Sequence, residues 1–166
     1  MANDEWATPR WIVDWVSDHT IGGPISTDVA ASSDNHVVDR WFGEGGEHED
    51  GLATKWEGKC WMNPPYSNPL PWVQKAIDES KEIGTSVTAL LPMDFSTKWG
   101  RLAWENATDI IILNPRVAFI DPATKLPVKG NNKGSIIVFF SHWGRQSDFG
   151  RVYMADISND TMDVLP

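Results

Sequence analysis

The stretch Cys60-Trp61-Met62-Asn63-Pro64-Pro65-Tyr66 reads as a short strand that stops at a stiff corner. Each proline fixes its own φ and biases the residue before it toward extended backbone, so the Asn63 side chain and the Pro64 carbonyl leave the strand end in set directions. An amide oxygen and a carbonyl side by side are two acceptors, which suits the two hydrogens of a flat, conjugated exocyclic amine. Tyr66 adds a ring face for a planar base, a stacking interaction worth roughly 1–3 kcal/mol. The plainer reading is a polar turn, since Asn-Pro and Pro-Pro dipeptides commonly mark loops. The rarity of this tetrapeptide favours chemistry.

Outward from the corner, strand and helix alternate. Thr8-Pro9 signals a helix start, with Trp11, Ile12, Trp15 and Val16 on one face to about His19, and Gly22-Gly23-Pro24 breaks it. Ile25 to Val29 reads as a strand with Asp28 near its end, Asn35 to Val38 as a short helix, and Asp39 to Phe42 as a second strand. After the corner, Trp72, Val73, Ala76 and Ile77 place a helix over Pro69 to Ile83, closed by Gly84. Ser86 to Leu91 has the apolar, β-branched character of a buried parallel strand, broken by Pro92. A helix over Thr97 to Glu105 and a strand over Asp109 to Leu113 follow. Arg116 to Ile120 and Ser135 to Phe140 read as strands flanking a loop, Pro122 to Gly134, and a last strand falls near Arg151 to Ile157. This order predicts an α/β fold, a mostly parallel sheet with an antiparallel end, in one domain. Ligands of such sheets collect where strands end, so Asp28, the segment after Phe42, and Asn63 are expected to line one crevice.

Composition narrows the class. The 166 residues contain one cysteine, Cys60, so no internal disulfide forms, and the scattered histidines give no zinc spacing. Cys60 reads as a small buried hydrophobe. No apolar run approaches a membrane span and the start, Met1 to Glu5, is acidic, so a soluble, cytoplasmic protein is expected. The net charge of −9 is uneven: residues 1–54 hold 11 acids against Arg10 and Arg40, while the remainder is balanced. Within 114–151, Arg116, Lys125, Lys129, Lys133, Arg145 and Arg151 face only Asp121 and Asp148. That local excess is how an acidic protein meets a polyanion, although a solvated hairpin has the same composition. The acidic loop 43–50 reads as solvated, and no metal is expected.

In this order Glu5-Trp6-Ala7-Thr8-Pro9, Thr27-Asp28-Val29-Ala30-Ala31-Ser32, Asp50-Gly51-Leu52, Trp61-Met62-Asn63-Pro64-Pro65-Tyr66, Trp72-Val73-Gln74-Lys75-Ala76 and Leu90-Leu91-Pro92 resemble the phage-type DNA adenine N6-methyltransferases, the Dam family. The resemblance spans about residues 4–140 and implies a Rossmann-like methyltransferase fold. It implies S-adenosylmethionine as methyl donor, S-adenosylhomocysteine as product, and a flipped adenine in DNA as acceptor, in a phage or restriction-modification setting; a virus-encoded copy would act in the host cytoplasm. By that resemblance Asn63, Pro64, Pro65 and Tyr66 are catalytic. Trp6, Thr8 and Pro9 hold the donor's methionine end, Asp28 and Ala30 lie in the cofactor loop, Asp50 and Leu52 meet its adenine, and Asn63 borders it.

A helix beginning at Thr8-Pro9 offers free N–H groups to a carboxylate, and Asp28 suits an ammonium. Thr8 as a mere cap, Trp6 as core and Asp28 as a turn cap are the structural alternatives. The glycine-rich cofactor loop common in methyltransferases is replaced by Ala30-Ala31-Ser32, so backbone must approach the donor without glycine's freedom. No insertion stands out as a separate target-recognition domain. DNA contact is therefore expected from Phe95 to Arg101, with Lys98 and Arg101, and from Arg116, Lys125, Lys129 and Lys133. The same motif also suits cytosine N4, adenine in RNA, or a non-catalytic relic that only binds donor or nucleic acid.

Overall fold

The protein is described from a computed structural model covering residues 3–19, 23–128, 130–144, 151–158 and 163–165. After a short 3-10 turn (Asn3–Glu5) come α1 (Arg10–His19), β1 (Thr27–Asp28), β2 (Lys59–Met62), α2 (Leu70–Glu79), β3 (Ser86–Pro92), α3 (Lys98–Asn106), β4 (Asp109–Asn114), β5 (Ser135–Phe140), β6 (Arg151–Asp156) and β7 (Asp163–Leu165). Among the described residues these strands form one sheet in the order β1-β2-β3-β5-β4-β6-β7. Strands β1, β2, β3, β4 and β6 run one way; β5 and β7 run against them. The expected α/β, mostly parallel, Rossmann-like sheet with an antiparallel part is therefore present. Its main reversed strand lies inside the sheet, filling the gap left when the β3-α3-β4 crossover skips one position.

Alternation along the strands sorts the core into two layers. Cys60 and Met62 of β2 face α2 and α3, packing with Val73, Ala76, Ile77 and Ala103. Trp61 between them faces the opposite side, where Ile12, Val13 and Val16 of α1 lie with Val117 and Phe119. Strands β3 and β5 are buried along their whole lengths, which fits their predominantly apolar sequences. Helix α3 starts where Thr97 caps it, its hydroxyl accepting from Gly100 N–H at 3.0 Å.

Three expected elements come out differently. Residues 116–120 form no strand, only a bridge from Ile120 to Ala7 and another to Pro127. Both edges of β4 are already taken, by β5 and β6, so this segment lies across the sheet face and buries Val117 and Phe119 there. Residues 35–38 form no helix; a turn over 33–35 is followed by bends. Side chains hold the backbone here: Asn35 Oδ1 accepts from Ser32 N–H at 2.7 Å, and Asp28 Oδ2 from Val37 N–H at 3.1 Å. The strand expected over 39–42 reduces to a bridge from Trp41 to Asp28 of β1 and another from Phe42 to His48. Among the described residues no helix is long and apolar enough to cross a membrane.

Candidate active site

Asn63 follows the last residue of β2, at the carboxyl edge shared by the parallel strands. Its Nδ2 faces the Trp6 carbonyl and the Thr8 hydroxyl, each at 3.4 Å. A carbonyl only accepts, so it turns the NH₂ toward itself and Oδ1 the other way. Oδ1 is buried and has no protein partner. A buried acceptor left open costs free energy comparable to a lost hydrogen bond unless something donates to it, which makes this atom a candidate to receive a ligand hydrogen.

Two cavities flank the corner. The first, about 390 Å³, is bordered by Asn63 and Pro65, by the 30–32 loop, and by Asp50, Gly51 and Trp72. The second, about 530 Å³, is bordered by Tyr66, Ser67, Pro92, Thr97, Trp99 and Lys133. The corner is thus a partition, with Asn63 and Pro65 on one side and Tyr66 on the other. Tyr66 meets Phe119 edge-on with ring centroids 6.1 Å apart, and its hydroxyl is buried without a partner. Burial pushes its phenol up, so it stays neutral. Pro64 is buried, and the Pro65 carbonyl accepts from Asn68 N–H at 3.2 Å.

The first cavity's wall is acidic: Asp4, Glu5, Asp34, Glu44, Glu49 and Asp50 all border it. Sequence reading singled out only Asp50 among these. The signal was present in the acidic balance of residues 1–54, which collects around one hole. Asp50 Oδ1 accepts from Leu52 N–H at 2.9 Å and Ala53 N–H at 3.3 Å, fixing the turn that carries it. Leu52 itself is half-buried and stands outside the lining, whereas Ala30 is in it. Trp72, stacked on Trp56 with centroids 6.3 Å apart, supplies an aromatic wall.

Other expected residues sit behind the cavity. Thr8 and Pro9 are buried outside its lining, and Thr8 reaches it only through Asn63. Trp6 packs on Phe119 with centroids 6.0 Å apart. Asp28 is 2% exposed and also outside the lining, its two oxygens holding Ala30 N–H at 3.3 Å and Val37 N–H at 3.1 Å. It clasps the loop from behind. Cys60 is buried, and burial with Glu79's charge pushes its thiol up to about 12, leaving it unreactive.

Burial raises the Asp28 carboxyl to about 7, against the opposing pull of its two N–H donors. Below about pH 4 it is protonated folded or unfolded; as pH rises toward 7 the unfolded chain ionises first and stability is lost, on the order of 4 kcal/mol in all. An Asp28→Asn protein, measured by urea denaturation from pH 4.5 to 7.5, should show a flatter stability profile, with a loss of about 1–2 kcal/mol at pH 4.5, where one N–H then faces an NH₂, that shrinks as pH rises.

The basic residues divide. Lys133 borders the second cavity, while Lys98 and Arg101 stand exposed on α3, Arg101 paired with Glu105 at 2.7 Å. Arg116 donates to the Asn131 carbonyl at 3.3 Å, and Lys125 is exposed on the far loop at φ +58°. Lys129 and Arg145 lie outside the described residues. Among the described residues no three His, Cys, Asp or Glu side chains converge as a metal site.

A family model described as DNA N-6-adenine-methyltransferase (Dam) matches residues 1–163. The chain is similar to the DNA N-6-adenine-methyltransferase of Haemophilus phage HP1 (strain HP1c1), 37% identical over 139 residues, covering 82% of this chain and 78% of that one. It is 36% identical over 152 residues to the DNA N-6-adenine-methyltransferase of Escherichia phage T1, covering 81% of this chain and 61% of that longer protein. No solved structure matches.

Proposed function

Since the chain belongs to the Dam family of DNA N-6-adenine-methyltransferases, we propose that it methylates N6 of an adenine flipped out of DNA, using S-adenosylmethionine. The observation that carries this reading is the buried, unpartnered Oδ1 of Asn63, a residue that borders a cavity at the strand end.

The first cavity fits the donor by size and by charge. Its volume lies in the usual range for small-molecule sites, roughly 300–1,000 Å³, and its acidic wall suits a ligand bearing a sulfonium and an ammonium. Asp50 and Trp72 would receive its adenine ring, and Glu5, in the same lining, would face positive charge. When bound, S-adenosylmethionine supplies an electrophilic methyl group. The second cavity takes the target base, with Tyr66 on its ring. Extruding that base costs a few kcal/mol, which stacking offsets in part.

Asn63 Oδ1 and the Pro64 carbonyl accept the two hydrogens of the adenine amine; the Pro65 carbonyl is already engaged. As N6 takes the methyl it becomes tetrahedral and positive, and fixed acceptors bind that form more tightly than the flat ground state. A proton then leaves N6 for solvent. The neutral Tyr66 excludes water and takes no proton.

The test is to incubate purified protein with isotopically labelled donor and unmethylated genomic DNA, digest to nucleosides and identify the labelled base. N6-methyladenine is expected; N4-methylcytosine, or label only in RNA incubated in parallel, would replace this acceptor with another. Lys98, Lys125 and Lys133 are proposed to meet backbone phosphates. Replacing all three with Ala should lower the magnitude of the log K against log salt slope by up to about 2.7, at about 0.9 per contact in duplex DNA. An unchanged slope in fluorescence anisotropy titrations would remove these residues from the DNA path.

A further inference from the structure

The geometry points to Asp4 as a positioning residue of the transfer reaction, gripping the proline corner from the place where the two cavities meet. The inference rests on the reading above, with donor on the Asn63 side and target base on the Tyr66 side. Asp4 Oδ1 accepts from Ser67 N–H at 3.0 Å and Oδ2 from the Ser67 hydroxyl at 2.6 Å, across 63 positions of sequence. Asp4 is also the residue common to the linings of both cavities.

From Asp4 the chain continues to the groups that orient Asn63, the Trp6 carbonyl and the Thr8 hydroxyl. Ala7, between them, is pinned by reciprocal bonds with Ile120 at 2.8 and 2.9 Å. Residues 4–8 therefore hold the corner at both ends, Asn63 before the prolines and Ser67 after Tyr66. Pro64 and Pro65 have no N–H, so the corner's own backbone restraint is the single bond from Asn68 N–H to the Pro65 carbonyl at 3.2 Å. The clasp adds to that restraint.

In the free protein the Asp4–Ser67 pair stands at the surface, where water competes for charge-assisted bonds. Occupants on both sides displace that water, and the bonds strengthen as the local dielectric falls. The clasp tightens as the ternary complex assembles, fixing the spacing between Asn63 and Tyr66 when the methyl moves. Asp4 acts through Ser67 and touches no reacting atom.

The experiment compares the unmodified protein with Asp4→Ala, Asp4→Asn, Ser67→Ala and the Asp4→Ala/Ser67→Ala double variant. Two readouts are used: steady-state methyl transfer to unmethylated genomic DNA, and hydrogen–deuterium exchange of the 63–68 peptide with S-adenosylhomocysteine bound. Asparagine keeps both bonds, because its Oδ1 accepts from Ser67 N–H and its Nδ2 donates to the Ser67 hydroxyl. Asp4→Ala should lower kcat about tenfold or more with KM for S-adenosylmethionine within about threefold, the pattern of misplaced reactants. It should also raise deuterium uptake in 63–68. Asp4→Asn should restore both readouts, and adding Ser67→Ala to Asp4→Ala should cost nothing more. Unimpaired turnover in Asp4→Ala, losses that multiply in the double variant, or an Asp4→Asn protein as impaired as Asp4→Ala would each overturn the inference. Absence of transfer by the unmodified protein overturns the methyltransferase reading and this inference together; transfer with Asp4→Ala unimpaired overturns the inference alone.

Discussion

Asn63→Ala lowers kcat by about 10²–10³, the scale on which one preorganised partner of a developing charge acts, while S-adenosylhomocysteine still binds. The reason lies in how Asn63 is held. Its Nδ2 is committed to the Trp6 carbonyl and the Thr8 hydroxyl, and its Oδ1 waits without a protein partner. Truncation removes the waiting acceptor and leaves the acidic wall and Trp72 in place. Calorimetric titration with S-adenosylhomocysteine should therefore give a Kd within a few-fold of the unmodified protein's, so that loss is confined to the transfer step. Asn63→Asp separates the two halves of the amide: it keeps the Oδ1 acceptor but sets an oxygen against the Trp6 carbonyl, and its turnover should fall between those of the unmodified protein and Asn63→Ala. Normal turnover in Asn63→Ala would end the proposed role.

The second large effect is structural. Gly43 adopts φ +130°, and a Cβ built there would lie 1.7 Å from the Ala31 carbonyl oxygen. Neither atom can yield, because Ala31 N–H donates to the Phe42 carbonyl at 3.0 Å and Gly43 N–H to the His48 carbonyl at 2.7 Å. Gly43→Ala should cost more than about 4 kcal/mol of stability, in the range reserved for backbone strain with a clash. Gly84 is the control: it also has positive φ, +91°, but a Cβ there meets nothing within 4 Å. Gly84→Ala should cost only about 1–2 kcal/mol. Urea denaturation of the pair checks the difference; equal losses would show that close approach at Ala31 is unimportant.

Gly43 also answers a question posed by the sequence, where Ala30-Ala31-Ser32 stands in place of a glycine-rich loop. The absent freedom is supplied from across the gap. Gly43 and Gly51 lie against the Ala31 and Val29 carbonyls, so the loop is met closely by neighbours without side chains. Nothing local to residues 30–32 reveals this, because the contacting glycines come from more distant turns.

What could be read from the sequence was what neighbouring residues decide among themselves. Proline geometry put Asn63 at a rigid corner, helical spacing placed α2 and α3 within a few residues of their observed spans, and the apolar runs gave β3, β4 and β5. The acidic first third foretold a charge imbalance without saying that it would gather around one cavity. Tertiary structure alone decided which edges remained free. Once β5 entered between β3 and β4, and β6 took the outer edge of β4, residues 116–120 had no strand to join. It likewise turned Thr8 toward Asn63, set Asp28 behind the loop, and brought Asp4 across the chain to Ser67. The Thr8 and Asp4 contacts depend on partners dozens of residues away, the fate of 116–120 on occupied edges, and the Asp28 contacts on how the following turn folds back, and neither periodicity nor local backbone preference carries that information.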